Sequence, residues 1–150
     1  MKNRLVYSIK TIQKTTFIIL IIAFFGFSVQ AQNPVGKWKM ISHVSEYAGQ
    51  KFDSYQALLS TRPCAAKIFY EINTDKTYRL NAKSSGCDEK YKNIQERIYS
   101  QSVWTLNGNK ITIGHKKAPT VGQTYGISFY GNKMIWKGTE GQGTITYLKL

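Results

Sequence analysis

The chain has 150 residues, of which 42% are hydrophobic, 13% aromatic and 19% charged; this suits a single domain and is too apolar for a chain that stays disordered. Its 21 Lys and Arg against 8 Asp and Glu give a net charge of +13. Four of those cations precede residue 32, so residues 32 to 150 carry 17 cations against 8 acids, a net +9.

Residues 1 to 16 hold Lys2, Arg4, Lys10 and Lys14 and no acid, and residues 17 to 29 are uncharged and almost wholly apolar. Val29-Gln30-Ala31 follows, with residues that signal peptidase accepts at the third and first positions before a cut. The pattern predicts a secretory signal peptide over residues 1–31 and a folded domain over 32–150. An apolar run of this length is shorter than the roughly 20 residues a spanning helix needs, so no transmembrane anchor is expected after cleavage. The first cysteine is Cys64, far from the cut, which argues against a lipid anchor. Export leads to an expectation of no nucleic-acid partner and of a soluble periplasmic or extracellular product. In that oxidising compartment Cys64 and Cys87 are expected to form a disulfide.

From residue 35 onward, short runs rich in Ile, Val, Tyr, Trp and Thr alternate with Gly, Asn and Asp, which is the pattern of an all-β chain. The predicted strands are 35–46, 66–72, 77–83, 99–106, 110–114, 123–130, 133–137 and 143–150. A short helix is expected over 53–60 behind an Asp53 or Ser54 cap, and the polar stretch 86–98 reads as a loop. A hairpin turning at Thr74-Asp75 sets position 64 opposite 85, which brings Cys64 near Cys87. Asn107-Gly108 and Gly131-Asn132 supply the positive φ of tight hairpin turns. Apolar residues alternate with polar ones in Ile68, Tyr70, Ile72 and in Tyr78, Leu80, Ala82, so one face of the sheet is buried. Eight antiparallel strands without a long crossover close most simply into an up-and-down barrel.

The first strand opens on Gly36-Lys37-Trp38. After a long connection come Cys64, the run Phe69-Tyr70-Glu71-Ile72-Asn73-Thr74-Asp75-Lys76-Thr77-Tyr78, Cys87, and the run Trp104-Thr105-Leu106-Asn107-Gly108-Asn109-Lys110-Ile111-Thr112-Ile113. This order resembles the bacterial lipocalin-like domain family, with its G-x-W opening, Cys-flanked hairpin and W-x-L-x-G-N hairpin. The chain departs from that pattern at Lys76, where the family usually has Gly. Lys149 stands where animal lipocalins place an Arg over the Trp. The resemblance spans nearly all of residues 35 to 150 and implies an exported eight-stranded barrel.

Such a barrel is either filled by its side chains or holds one small ligand. Alternation points Trp38, Tyr70, Tyr78, Trp104, Tyr125, Phe129, Trp136 and Tyr147 inward, and these are the candidate ligand-binding residues. The expected function is binding of a small apolar or amphipathic molecule in a cavity of a few hundred Å³, with residues 47 to 62 as a lid. The alternative is a packed barrel that acts as an interaction module of the cell envelope. It would meet an anionic envelope component through its basic surface, including Lys37, Lys39, Lys67, Arg79, Lys83, Lys116, Lys117, Lys133 and Lys137. No cysteine or carboxylate near His43 or His115 in sequence suggests a triad or a metal set, and no phosphate-binding or metalloprotease motif occurs. No catalytic activity, metal or cofactor is expected.

Overall fold

The computed structural model describes residues 33 to 150, and the signal peptide expected over 1–31 lies outside them. In chain order the elements are β1 (Gly36–Tyr47), β2 (Gln50–Asp53), helix α1 (Ser54–Thr61), a 3₁₀ turn (Pro63–Lys67), β3 (Phe69–Ile72) and β4 (Tyr78–Asn81). Helix α2 (Glu89–Tyr99), β5 (Ser102–Asn107), β6 (Lys110–His115), β7 (Ala118–Tyr130), β8 (Lys133–Gly138) and β9 (Thr144–Lys149) follow. Around the wall the order is β4-β3-β1-β9-β8-β7-β6-β5, with β2 paired only to β1. All pairings are antiparallel. The result is the expected eight-stranded up-and-down barrel, nearly closed, with the short β2 added beside it.

The turns explain the meander. Gly108 and Gly131, each at φ 58, are the first of two central residues in the β5–β6 and β7–β8 hairpins, the glycine position of a type II′ turn. Asn107 itself pairs with Lys110, so this turn lies one residue beyond the expected Asn107-Gly108. Along β6 and β7, Gly114 and Gly122 face one another. A Cβ on either would sit 2.5 Å or less from a backbone oxygen, so the close approach there requires glycine.

Three expectations change. Residues 89 to 99 form α2 where a loop was expected, and Tyr99 ends this helix instead of opening a strand. The Asp88 carboxylate accepts from Tyr91 N at 2.8 Å and caps the helix. Glu96 anchors it to the wall by accepting from Ala82 N at 2.9 Å. The β3–β4 hairpin turns through residues 73 to 77 with Lys76 at φ 68, and pairs Tyr70 with Leu80 and Ile72 with Tyr78, one residue from the expected register. Residues 66 and 67 fall in the 3₁₀ turn and outside β3.

The predicted short helix is present as α1, with Asp53 accepting from Tyr55 N and Gln56 N. Cys64 and Cys87 form the expected disulfide, their Cα atoms 5.2 Å apart. It ties the 3₁₀ turn after α1 to the segment that leads into α2.

Between β4 and β5 the wall is joined only by a bridge between Thr77 and Val103, with Trp104 N donating to Lys76 O at 2.8 Å. Arg79 spans this seam. Its guanidinium donates to the carbonyl oxygens of Tyr78 at 3.0 Å, Tyr99 at 3.2 Å and Ser102 at 2.5 Å. Arg79 is therefore half-buried in the wall, whereas the sequence reading placed it on the solvated basic face.

Candidate functional site

The barrel interior carries the main core, in which Trp38, Ile72, Tyr78, Trp104, Ile111, Tyr125, Met134, Trp136, Ile145 and Tyr147 are all buried. A second cluster of Ala65, Ile68, Leu80 and Ala82 lies beneath the helices, with Leu58, Tyr91 and Tyr99 packed on it. The interior is not filled completely. A cavity of about 130 Å³ remains, smaller than the few hundred Å³ expected and partly open to solvent, walled by the rings of Tyr70, Tyr78, Tyr99, Tyr125, Trp136 and Tyr147. Met40, Ile113 and Ile145 complete its apolar wall, and His43 and Gln123 add polar groups. A smaller cavity of about 60 Å³ lies under α1 and α2, and Met40 and Tyr70 border both.

The structure thus brings Tyr70, Tyr78, Tyr125, Trp136 and Tyr147 of the eight candidate residues around one cavity. The other three lie elsewhere. Trp38 and Phe129 pack 6.2 Å apart, centre to centre, near the start of β1, where Trp38 Nε1 donates to Pro34 O at 2.7 Å. Lys149 Nζ stands 5.6 Å from the Trp38 ring, a cation over the aromatic face. Trp104 is buried at the β4–β5 seam, its Nε1 donating to Asn73 O at 2.9 Å and its ring 3.9 Å from Lys76 Nζ.

Sequence reasoning did not place Met40, His43, Tyr99 or Gln123 at the site. Tyr99 was hidden because residues 86 to 98 are so polar. Its signal is the four-residue spacing of Tyr91, Gln95 and Tyr99, which puts three long side chains on one helical face.

The rings form a continuous aromatic set. Trp136 lies 5.0 Å from Tyr147 and 5.3 Å from Tyr125, and Tyr70 stacks on Tyr78 at 5.6 Å. Burial pushes the phenols of Tyr70, Tyr78 and Tyr147 far above their usual value, and raises Tyr99 and Tyr125 as well. All five are therefore neutral at physiological pH, and each hydroxyl both donates and accepts. The Tyr78 and Tyr147 hydroxyls meet at 3.4 Å, a long contact, and the Tyr125 hydroxyl donates to Gln123 Oε1 at 2.9 Å. His43 donates from Nε2 to the Gln142 carbonyl at 2.8 Å and so links β1 to the β8–β9 loop. Among the described residues, Trp136 Nε1 is a buried donor with no acceptor. No Lys, Arg, Asp or Glu lines the cavity.

Comparison of the chain with protein-family models, with curated proteins and with solved structures finds no match. The barrel and the disulfide are compatible with a lipocalin-like fold. No helix of the described residues is long and apolar enough to cross a membrane.

Proposed function

We propose that this protein is an exported, lipocalin-like barrel that binds a small apolar or amphipathic molecule in its lumen, as a carrier or sensor and not as an enzyme. The observation that carries this reading is the aromatic-walled cavity of about 130 Å³, partly open to solvent, that the barrel core leaves unfilled. A barrel that served only as a scaffold gains stability from every void it fills, because a void forfeits contacts on its lining. The basic, apolar leader and the disulfide support export to the periplasm or beyond.

A second reading is favoured by one separate observation. The β1–β2 hairpin holds Tyr47 and Phe52 at 87% and 60% exposure, an exposed aromatic patch that suits an interaction module working through its loops. Native and denaturing mass spectra of the protein, exported under its own leader, separate the two. A small molecule that leaves on denaturation is the expected result. A native mass equal to that of the disulfide-bonded polypeptide, unchanged by a panel of lipids and small aromatic compounds, would sink the lumen reading and favour the module.

A further inference from the structure

Three features of the cavity narrow the ligand, given that the lumen binds one at all. The first is size: a dry cavity of about 150 Å³ takes a single benzene ring, and this one is about 130 Å³. Most of a long acyl chain would lie outside this space, beyond the rings. The second is charge. A carboxylate or ammonium drawn in among the rings loses part of its hydration and meets no Lys, Arg, Asp or Glu in the lining, which is costly. The third is hydrogen-bonding capacity. The Tyr78 and Tyr147 hydroxyls share one long contact of 3.4 Å, although each has a proton and two lone pairs to place. Trp136 Nε1 adds a buried donor that nothing on the described chain accepts. The other two indoles, Trp38 and Trp104, both donate to backbone carbonyls.

From these features we infer that the lumen takes an uncharged, ring-sized molecule bearing at least one hydrogen-bonding group, stacked among Tyr78, Trp136 and Tyr147. A long-chain lipid fits this space poorly, because little of its chain would meet the rings. This rests on the lumen-binding reading and restricts it to one chemical class. An apolar ring alone would fill the space and leave the hydroxyls and the indole N–H without the partners that buried polar groups require.

The test uses ¹⁵N-labelled protein exported under its own leader and titrated with phenol, toluene and palmitate. Phenol and toluene have the same shape and differ in the hydroxyl. A dry apolar cavity prefers toluene, because phenol must leave its hydrogen bonds in water. We expect the reverse here, with phenol binding at least as tightly as toluene and moving the indole N–H signal of Trp136, which Trp136→Phe identifies by its loss. Tyr147→Phe weakens phenol about 3- to 10-fold, the value of one neutral hydrogen bond, and leaves toluene unchanged. Tyr78→Phe serves the same purpose if the first variant does not fold.

Tighter binding of toluene, or displacement of phenol by palmitate, overturns the proposed ligand class and leaves lumen binding intact. If phenol shifts the cavity resonances while the Trp136 N–H and both Phe variants stay silent, the polar contacts are wrong and the class falls with them. If no probe moves any cavity resonance, the lumen reading itself fails, and the class with it.

Discussion

Lys76 shows how one residue is held between two opposing effects. Its φ of 68 is left-handed backbone, which costs a side-chain-bearing residue about 1 kcal/mol, and the resembling family places Gly there. Yet Lys76 Nζ stands 3.9 Å from the Trp104 ring, and its carbonyl accepts from Trp104 N at the seam. The cation over the ring offsets part of the backbone cost, about 0.5–1 kcal/mol at a surface site. Lys76→Ala keeps the strain and loses the cation, so it is expected to be destabilising. Lys76→Gly loses the cation but sheds the strain. The glycine variant is therefore expected to be more stable than the alanine variant by about 1 kcal/mol in urea unfolding. In ordinary strand or helix the order is reversed, and a reversed order here would show that the left-handed turn does not govern this position.

Among the elements, α2 reaches the site without belonging to the barrel wall. It supplies Tyr99 to the cavity wall and is held by Glu96, by Arg79 on the Tyr99 carbonyl, and by the disulfide just ahead of its cap. In the chain-entropy model a cross-link over this loop is worth about 3 kcal/mol. The paired change Cys64→Ser with Cys87→Ser is expected to cost about that much. Hydrogen exchange should rise first in α1 and α2 while the β6–β9 ladders stay protected. Uniform loss of protection across the barrel would show that the bridge does not act locally.

The same helix marks where the sequence was hard to read. Strands β6, β8 and β9 were legible because Ile111, Ile113, Met134, Trp136, Ile145 and Tyr147 alternate with polar residues. The α1 cap was legible because Asp53 and Ser54, both capping residue types, open a short segment that carries Leu58 and Leu59. In α2 the only apolar side chains besides its tyrosines are Ile94 and Ile98, and both face solvent. Tertiary contacts hold it in place where a hydrophobic stripe would normally do so. The aromatic lining was partly legible for a related reason. Alternation shows which residues face inward but not how far along the barrel each one lies, so Trp38, Trp104 and Phe129 could not be separated from the cavity wall.

At the scale of the whole molecule, buried phenols tie stability to alkaline pH. Unfolded tyrosines ionise near pH 10, whereas burial holds Tyr70, Tyr78 and Tyr147 protonated well above that. The unfolded state therefore loses protons first. The contribution of these groups is present in full below pH 10 and is lost as pH rises further, by up to about 1.4 kcal/mol per pH unit for each tyrosine. Phenolate absorbance from these three should appear together with loss of the circular dichroism of the barrel. Their complete ionisation in a barrel that stays folded would contradict the burial described here.

The incomplete seam gives the barrel a preferred direction of yielding. Every other neighbouring pair of strands is joined by a ladder of hydrogen bonds, whereas β4 and β5 share one bridge, and the Arg79 guanidinium and the end of α2 span the rest. Widening that gap breaks a few contacts, while parting any ladder breaks a whole row. Loosening of the wall is therefore expected to start between β4 and β5, before any ladder parts. Arg79, which holds the Tyr99 and Ser102 carbonyls together with that of Tyr78, acts as the clasp on this line of weakness.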